Sequence, residues 1–131
     1  MAPVRAQVAF LLVLAGLSGC IPATSVTFFI TQRADPLSDV TALEQLCRDL
    51  GLTRMDAVGP PQPPKGQFVC ESRPRRGYFI VFTPETDKRQ IEVYFAEAAE
   101  SFSPDTKAAY SEFVRRLKGQ FGDAAAVAPT I

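Results

Sequence analysis

The chain contains no histidine. That absence removes the base from Ser-His-Asp and Cys-His nucleophile pairs, and the imidazole ligand from zinc and iron sites. Most familiar hydrolase chemistries thus lose a required part. A charge imbalance is missing as well: Lys and Arg together number 14, and so do Asp and Glu. No net field draws the chain toward nucleic acid or an acidic substrate, and no nucleic-acid partner is expected. Cysteine is sparse, and no CxxC spacing supports redox catalysis. There is no internal repeat. What is present is an ordinary globular balance, 47% apolar and 21% charged over 131 residues, enough for one domain.

The first twenty residues fall into three zones. Arg5 and the amino terminus are positive, residues 8–17 (VAFLLVLAGL) are apolar, and Leu17-Ser18-Gly19-Cys20 closes the segment. Ten residues of helix rise about 15 Å, half of a bilayer core, which is short for a membrane span and right for a signal h-region. A buried core helix fits poorly, because a helix apolar on every side has no place in so small a domain. Leu17-Ser18-Gly19-Cys20 resembles the lipobox of bacterial lipoprotein precursors: a leucine, two small residues and the cysteine, behind an h-region. The resemblance covers about 20 residues. It implies a diacylglyceryl thioether on the Cys20 sulfur, cleavage between Gly19 and Cys20, and acylation of the new amino group. The membrane, reached through that covalent lipid, is then the first partner, and no other cofactor is implied. Two or three acyl chains anchor stably where one binds reversibly, at about 0.8 kcal/mol per buried methylene. Ile21 follows the cysteine in place of the aspartate that holds enterobacterial lipoproteins at the inner membrane, which favours the outer membrane, facing the periplasm. Removing residues 1–19 takes away Arg5 alone among the charged groups, leaving 13 cations against 14 acids, a net charge of −1.

Residues 26–31 (VTFFIT) are β-branched and aromatic and predict a strand, with a membrane-proximal tether as the alternative. Asp35-Pro36 opens a helix carrying Val40, Leu43, Leu46, Cys47 and Leu50 on one face; Gly51 stops it, with Leu52 packed behind. Residues 59–64 (GPPQPP) form a stiff connector, read as a spacer rather than a ligand for a proline-binding groove. Strands are predicted over 67–72, 78–83 and 90–96, joined by breaks of hairpin length. The 78–83 strand is apolar on both faces and should be central. Ser103-Pro104 opens a second helix with Tyr110, Phe113, Val114, Leu117 and Phe121 as its apolar stripe, ended by Gly122. The order β-α-β-β-β-α predicts an α+β two-layer sandwich: a small, mostly antiparallel sheet of four strands with both helices on one face. The expected division is 1–19 signal peptide, 20–25 lipidated terminus and tether, 26–122 domain, and 123–131 flexible tail.

With Cys20 lipidated, Cys47 and Cys70 remain in an oxidising compartment. Both lie on faces that an α-on-β packing brings together, so a structural disulfide is expected, with inert buried thiols as the alternative. Arg73, Arg75 and Arg76 set three guanidiniums in one turn. Such forks suit phosphates and carboxylates, as in lipid headgroups or cell-wall polymers, although a charged hairpin tip that blunts strand pairing is the plainer reading. Glu92, Glu97 and Glu100 would need one cleft and a fixed separation to act on glycosides. If the helices cover the face bearing Ile80, Phe82 and Val93, the other face presents Phe79, Val81 and Tyr94, an apolar strip of the kind that marks a partner surface. The expectation is a non-enzymatic, lipid-anchored domain that binds or assembles within an envelope protein complex, with no catalytic and no metal-binding residues. The rival is an enzyme or carrier acting on envelope lipid or glycan through a pocket uniting those arginines and carboxylates.

Overall fold

A computed structural model describes residues 22–33, 35–57, 62–72, 77–125 and 128–131. The Leu17–Cys20 motif, the arginines at 73, 75 and 76, and residues 59–61 of the connector lie outside the described residues. The elements run β1 (Thr24–Thr31), α1 (Pro36–Asp49), β2 (Thr53–Asp56), β3 (Phe68–Glu71), β4 (Tyr78–Glu85), β5 (Gln90–Glu97) and α2 (Pro104–Phe121). The sheet has the order β1-β5-β4-β3-β2 and every neighbouring pair is antiparallel. This is the small α+β fold expected, with β4 at its centre and one strand more than expected.

The extra strand, β2, corrects the four-stranded β-α-β-β-β-α order to β-α-β-β-β-β-α. Its four residues, Thr-Arg-Met-Asp, are all exposed and carry no apolar alternation to betray a strand. Backbone pairing with β3 makes it one, as the last strand on that side of the sheet. β4 also runs two residues past Thr83, through Pro84, where sequence reading puts a break. Ser72 N–H donates to the Tyr78 carbonyl at 3.1 Å, so alternate residues from Tyr78 onward turn their backbone polar groups toward β3. Pro84 belongs to that set, yet β3 ends opposite Phe82. The missing N–H of Pro84 therefore leaves no ladder bond unmade.

Local chemistry sets both helices. Asp35 caps α1 by accepting from Leu37 N–H at 3.2 Å, and Pro36 takes the first turn. At the other end Gly51, at φ 76°, donates to the Arg48 carbonyl, and Leu52 donates to Cys47, both at 2.9 Å. That pair of bonds is a Schellman stop, and it buries Leu52. Ser103 caps α2 through Thr106 N–H at 3.2 Å, while its own N–H donates to the Glu97 carboxylate at 2.8 Å. A strand-end glutamate thus fills the role that a glutamate at the third helical position fills in a capping box.

Both helices lie on one face. Phe28, Ile30, Phe68, Cys70, Ile80, Phe82, Val93 and Phe95 from the sheet form one core with Leu43 and Leu46 of α1 and Tyr110, Phe113 and Leu117 of α2. The Phe95 ring sits 4.9 Å from Tyr110 and 6.1 Å from Phe113 between centroids. Cys47 and Cys70, both fully buried, are joined by a disulfide that pins α1 to β3. A knot that sequence reading passes over closes the β1–α1 end. Asp39, 1% exposed, accepts from the backbone N–H and Nε of Arg33, at 3.0 and 3.1 Å. The same guanidinium donates to the Gln120 carbonyl at 2.9 Å and stacks on Phe121. One arginine thereby ties the first turn of α1 to the last carbonyls of α2. Within the stretch read as a tail, Ala125 is fully buried, and the Tyr110 hydroxyl donates to the Pro129 carbonyl at 2.6 Å. Burial pushes that phenol up to about 12. Among the described residues no helix is long and apolar enough to cross a membrane.

Candidate functional site

The period of two in a strand sends alternate side chains to opposite faces, so a sheet roofed by helices on one side shows its other face to solvent. Here the odd-numbered residues of β1, β2, β3 and β4 and the even-numbered residues of β5 carry that second face. Register places them in rows. Thr27, Tyr94, Val81, Val69 and Met55 lie in line across β1-β5-β4-β3-β2. One step along the strands, Phe79 follows between Ala96, of the same face, and Glu71. On the other side of the central row, Phe29 stands opposite Glu92, which pairs with Thr83.

The three residues proposed from sequence as a partner surface are therefore neighbours. Val81 is the cross-strand partner of Tyr94, and the Phe79 and Tyr94 rings lie 6.1 Å apart at 48°. All three are half-buried, and neither α1 nor α2 lies above them. Phe29 and Met55, exposed by 38% and 41%, extend the strip toward both edges. Sequence reading misses these two for different reasons. Phe29 alternates with the buried Phe28 and Ile30, a signal legible in VTFFIT once the inner face is known. Met55 sits in the strand whose composition hides it.

Polar groups frame the strip at the β4–β5 end. Gln67 donates to Thr83 at 2.9 Å and Gln90 donates to Glu85 at 2.7 Å, both across strands. Burial against the sheet, then the neighbouring Glu85 carboxylate, raise the Glu92 carboxyl above its ordinary range. The carboxylates considered for glycan chemistry do not converge. Glu92 points from the open face, whereas Glu97, five residues on, points to the helical face and caps α2; Glu100 is exposed beyond the strand. Among the described residues, no group of three or more His, Cys, Asp or Glu side chains is placed to hold a metal ion. Among the described residues, two clefts elsewhere are open surface hollows; one, of about 290 Å³, lies between α2 and the C-terminal residues 128–131.

The strip is a flat, amphipathic surface: aromatic and branched side chains at the centre, with hydrogen-bonding side chains at one end. Such an arrangement can bury apolar area against a protein surface and set its register by polar contacts at the rim. No protein-family profile, curated protein or solved structure matches the chain.

Proposed function

We propose that this chain is a lipid-anchored envelope protein, held at a membrane through Cys20, whose domain acts by binding or assembly and not by catalysis. The observation that carries the reading is the open sheet face, on which Phe79, Val81 and Tyr94 join Phe29, Val69 and Met55 in one strip that neither described helix covers. An apolar strip rimmed by polar side chains is the signature of a protein partner surface. The lipobox-like Leu17-Ser18-Gly19-Cys20 supplies the place of action, on the periplasmic side of the outer membrane. β1 begins at Thr24, so the extended reach from Cys20 to the sheet is at most about 14 Å. The sheet is then held close to the bilayer, where an envelope complex is the partner class within reach.

Two measurements test the two halves separately. Palmitate labelling of the wild type and Cys20→Ser checks the anchor; label that persists in the mutant refutes it. Covalent cross-linking in intact envelopes, followed by isolation of the chain, checks the face. The wild type should bring down a defined partner that Phe79→Asp loses. Identical products from both chains, with both folded and membrane-bound, would sink the sheet-face assignment.

A further inference from the structure

The two edges of the sheet differ in kind. β2, at one edge, is four residues long and carries Arg54 and Asp56, with Arg54 bridged at 2.8 Å to Glu44 of α1. Short length and charge are the ordinary devices that stop an edge from pairing. β1, at the other edge, has eight residues, Thr-Ser-Val-Thr-Phe-Phe-Ile-Thr, without a charge, a proline or a glycine. No described residue pairs with its outer side.

The backbone of that side can be assigned. Gln32 N–H donates to the Arg89 carbonyl at 2.9 Å, so Gln32 and the alternate residues Ile30, Phe28, Val26 and Thr24 face β5. Ser25, Thr27, Phe29 and Thr31 then direct their backbone N–H and C=O groups outward, away from the sheet. Three of the four, Thr27, Phe29 and Thr31, also carry exposed side chains on the open face.

We propose that β1 is a self-pairing edge, and that two copies of this chain join through antiparallel β1–β1 pairing into one continuous sheet. Complementarity selects a second copy as the occupant. Antiparallel pairing about a two-fold axis normal to the sheet sets uncharged residues opposite uncharged residues, whether the axis passes at Thr27 or at Phe28. The copy's strand is already held extended against its own β5, so pairing orders no new chain, as capture of a free peptide would. The same two-fold keeps both open faces on one side, and with the axis at Phe28 it sets each Phe29 opposite Thr27 of the other copy and diagonal to the second Phe29. An isologous contact of this kind is the commonest way that identical chains associate. It does not depend on what the open face binds or on how the chain is anchored.

The test is sedimentation equilibrium of the full chain in a non-ionic detergent over a range of concentrations. The wild type should reach twice the 14.3 kDa chain mass as concentration rises. Thr27→Pro removes one outward N–H and sets a ring in the seam, while the ladder to β5, made by the alternate residues, keeps all its donors. Thr27→Lys puts like charges near the two-fold at an exposed position and decides the matter should the proline variant fail to fold. With far-UV dichroism unchanged, each variant should weaken dimerisation about tenfold or more. A wild type that stays monomeric to roughly 100 μM overturns the proposal. So does a dimer that Thr27→Lys leaves unaltered.

Discussion

Removing the Cys47–Cys70 disulfide should cost this domain about 3 kcal/mol. The bridged residues are 23 apart, and closing a loop of that length takes about 11 cal/mol/K from the unfolded ensemble, or roughly 3 kcal/mol near room temperature. Against the 5–15 kcal/mol typical of a native domain that is a large fraction. The bridge also joins α1 to β3, where Leu43, Leu46 and Leu52 meet Phe68 within the same core. The assay is urea unfolding of a chain beginning at residue 22, followed by far-UV dichroism, with and without a strong reductant. A urea slope of about 1.5–2 kcal/mol/M converts the loss into a midpoint lower by about 1.5–2 M. The slope itself should rise on reduction, since the freed unfolded chain exposes more surface. Cys47→Ala/Cys70→Ala should fall at least as far, because both sulfurs are fully buried and their removal leaves a void. Midpoints that agree within about 0.3 M, with free thiols confirmed by mass, would refute the loop-entropy account.

Asp39→Ala strands the Arg33 backbone N–H and a guanidinium committed to two helices, and should lower stability by about 2–3 kcal/mol. Asp39→Asn, which keeps an acceptor oxygen, should lose about half as much; equal losses in urea unfolding would rule out the charge-assisted part of the bond. Glu92 supplies a pH signature. Its carboxyl is raised above 4.5 in the fold, so the contribution it makes is full below its unfolded value and is lost as pH rises through the folded one. Stability should therefore decline across that window in the wild type and decline less in Glu92→Gln, which should be the more stable protein at neutral pH. Glu85→Gln should lower the Glu92 titration only in part, because burial is the larger cause; carboxyl NMR that shows full restoration would assign the shift to Glu85 instead.

Period and punctuation made most of the fold legible before any coordinates. Helix starts at Asp35-Pro36 and Ser103-Pro104, the stop at Gly51, the central place of β4 and the meeting of Cys47 with Cys70 all followed from local signals. What escaped was decided by tertiary context. β2 is a strand because β3 offers it a ladder, and nothing in Thr-Arg-Met-Asp advertises this. Pro84 reads as a break, yet its absent donor faces the side where β3 has ended. Asp39 reads as an ordinary first-turn acid, whereas its importance comes from Arg33 reaching Gln120 and Phe121 at the far end of another helix. The open strip was half legible for the same reason: Phe79, Val81 and Tyr94 follow from alternation within β4 and β5, while Met55 depends on a strand that composition hides.

The strip also separates what the fold needs from what it merely carries. On the helical face, the large side chains meet one another in the core, and their number and size answer to packing. On the open face, Thr, Gln or Lys at positions 29, 55, 69, 79 and 81 would suit a half-solvated antiparallel sheet as well as the Phe, Met and Val found there. β-propensity spans about 1 kcal/mol in all, so folding gains little from the choice. A local departure from polar patterning without a compensating core contact is where selection for something other than stability shows. The same reasoning applies to β1, whose uncharged edge is left open while β2 is shortened and charged. Both departures lie within one surface, reached from the strand that starts four residues after Cys20. The helical half of this molecule carries its packed core, and the proposed contacts with other molecules fall on the sheet's open face and its β1 edge.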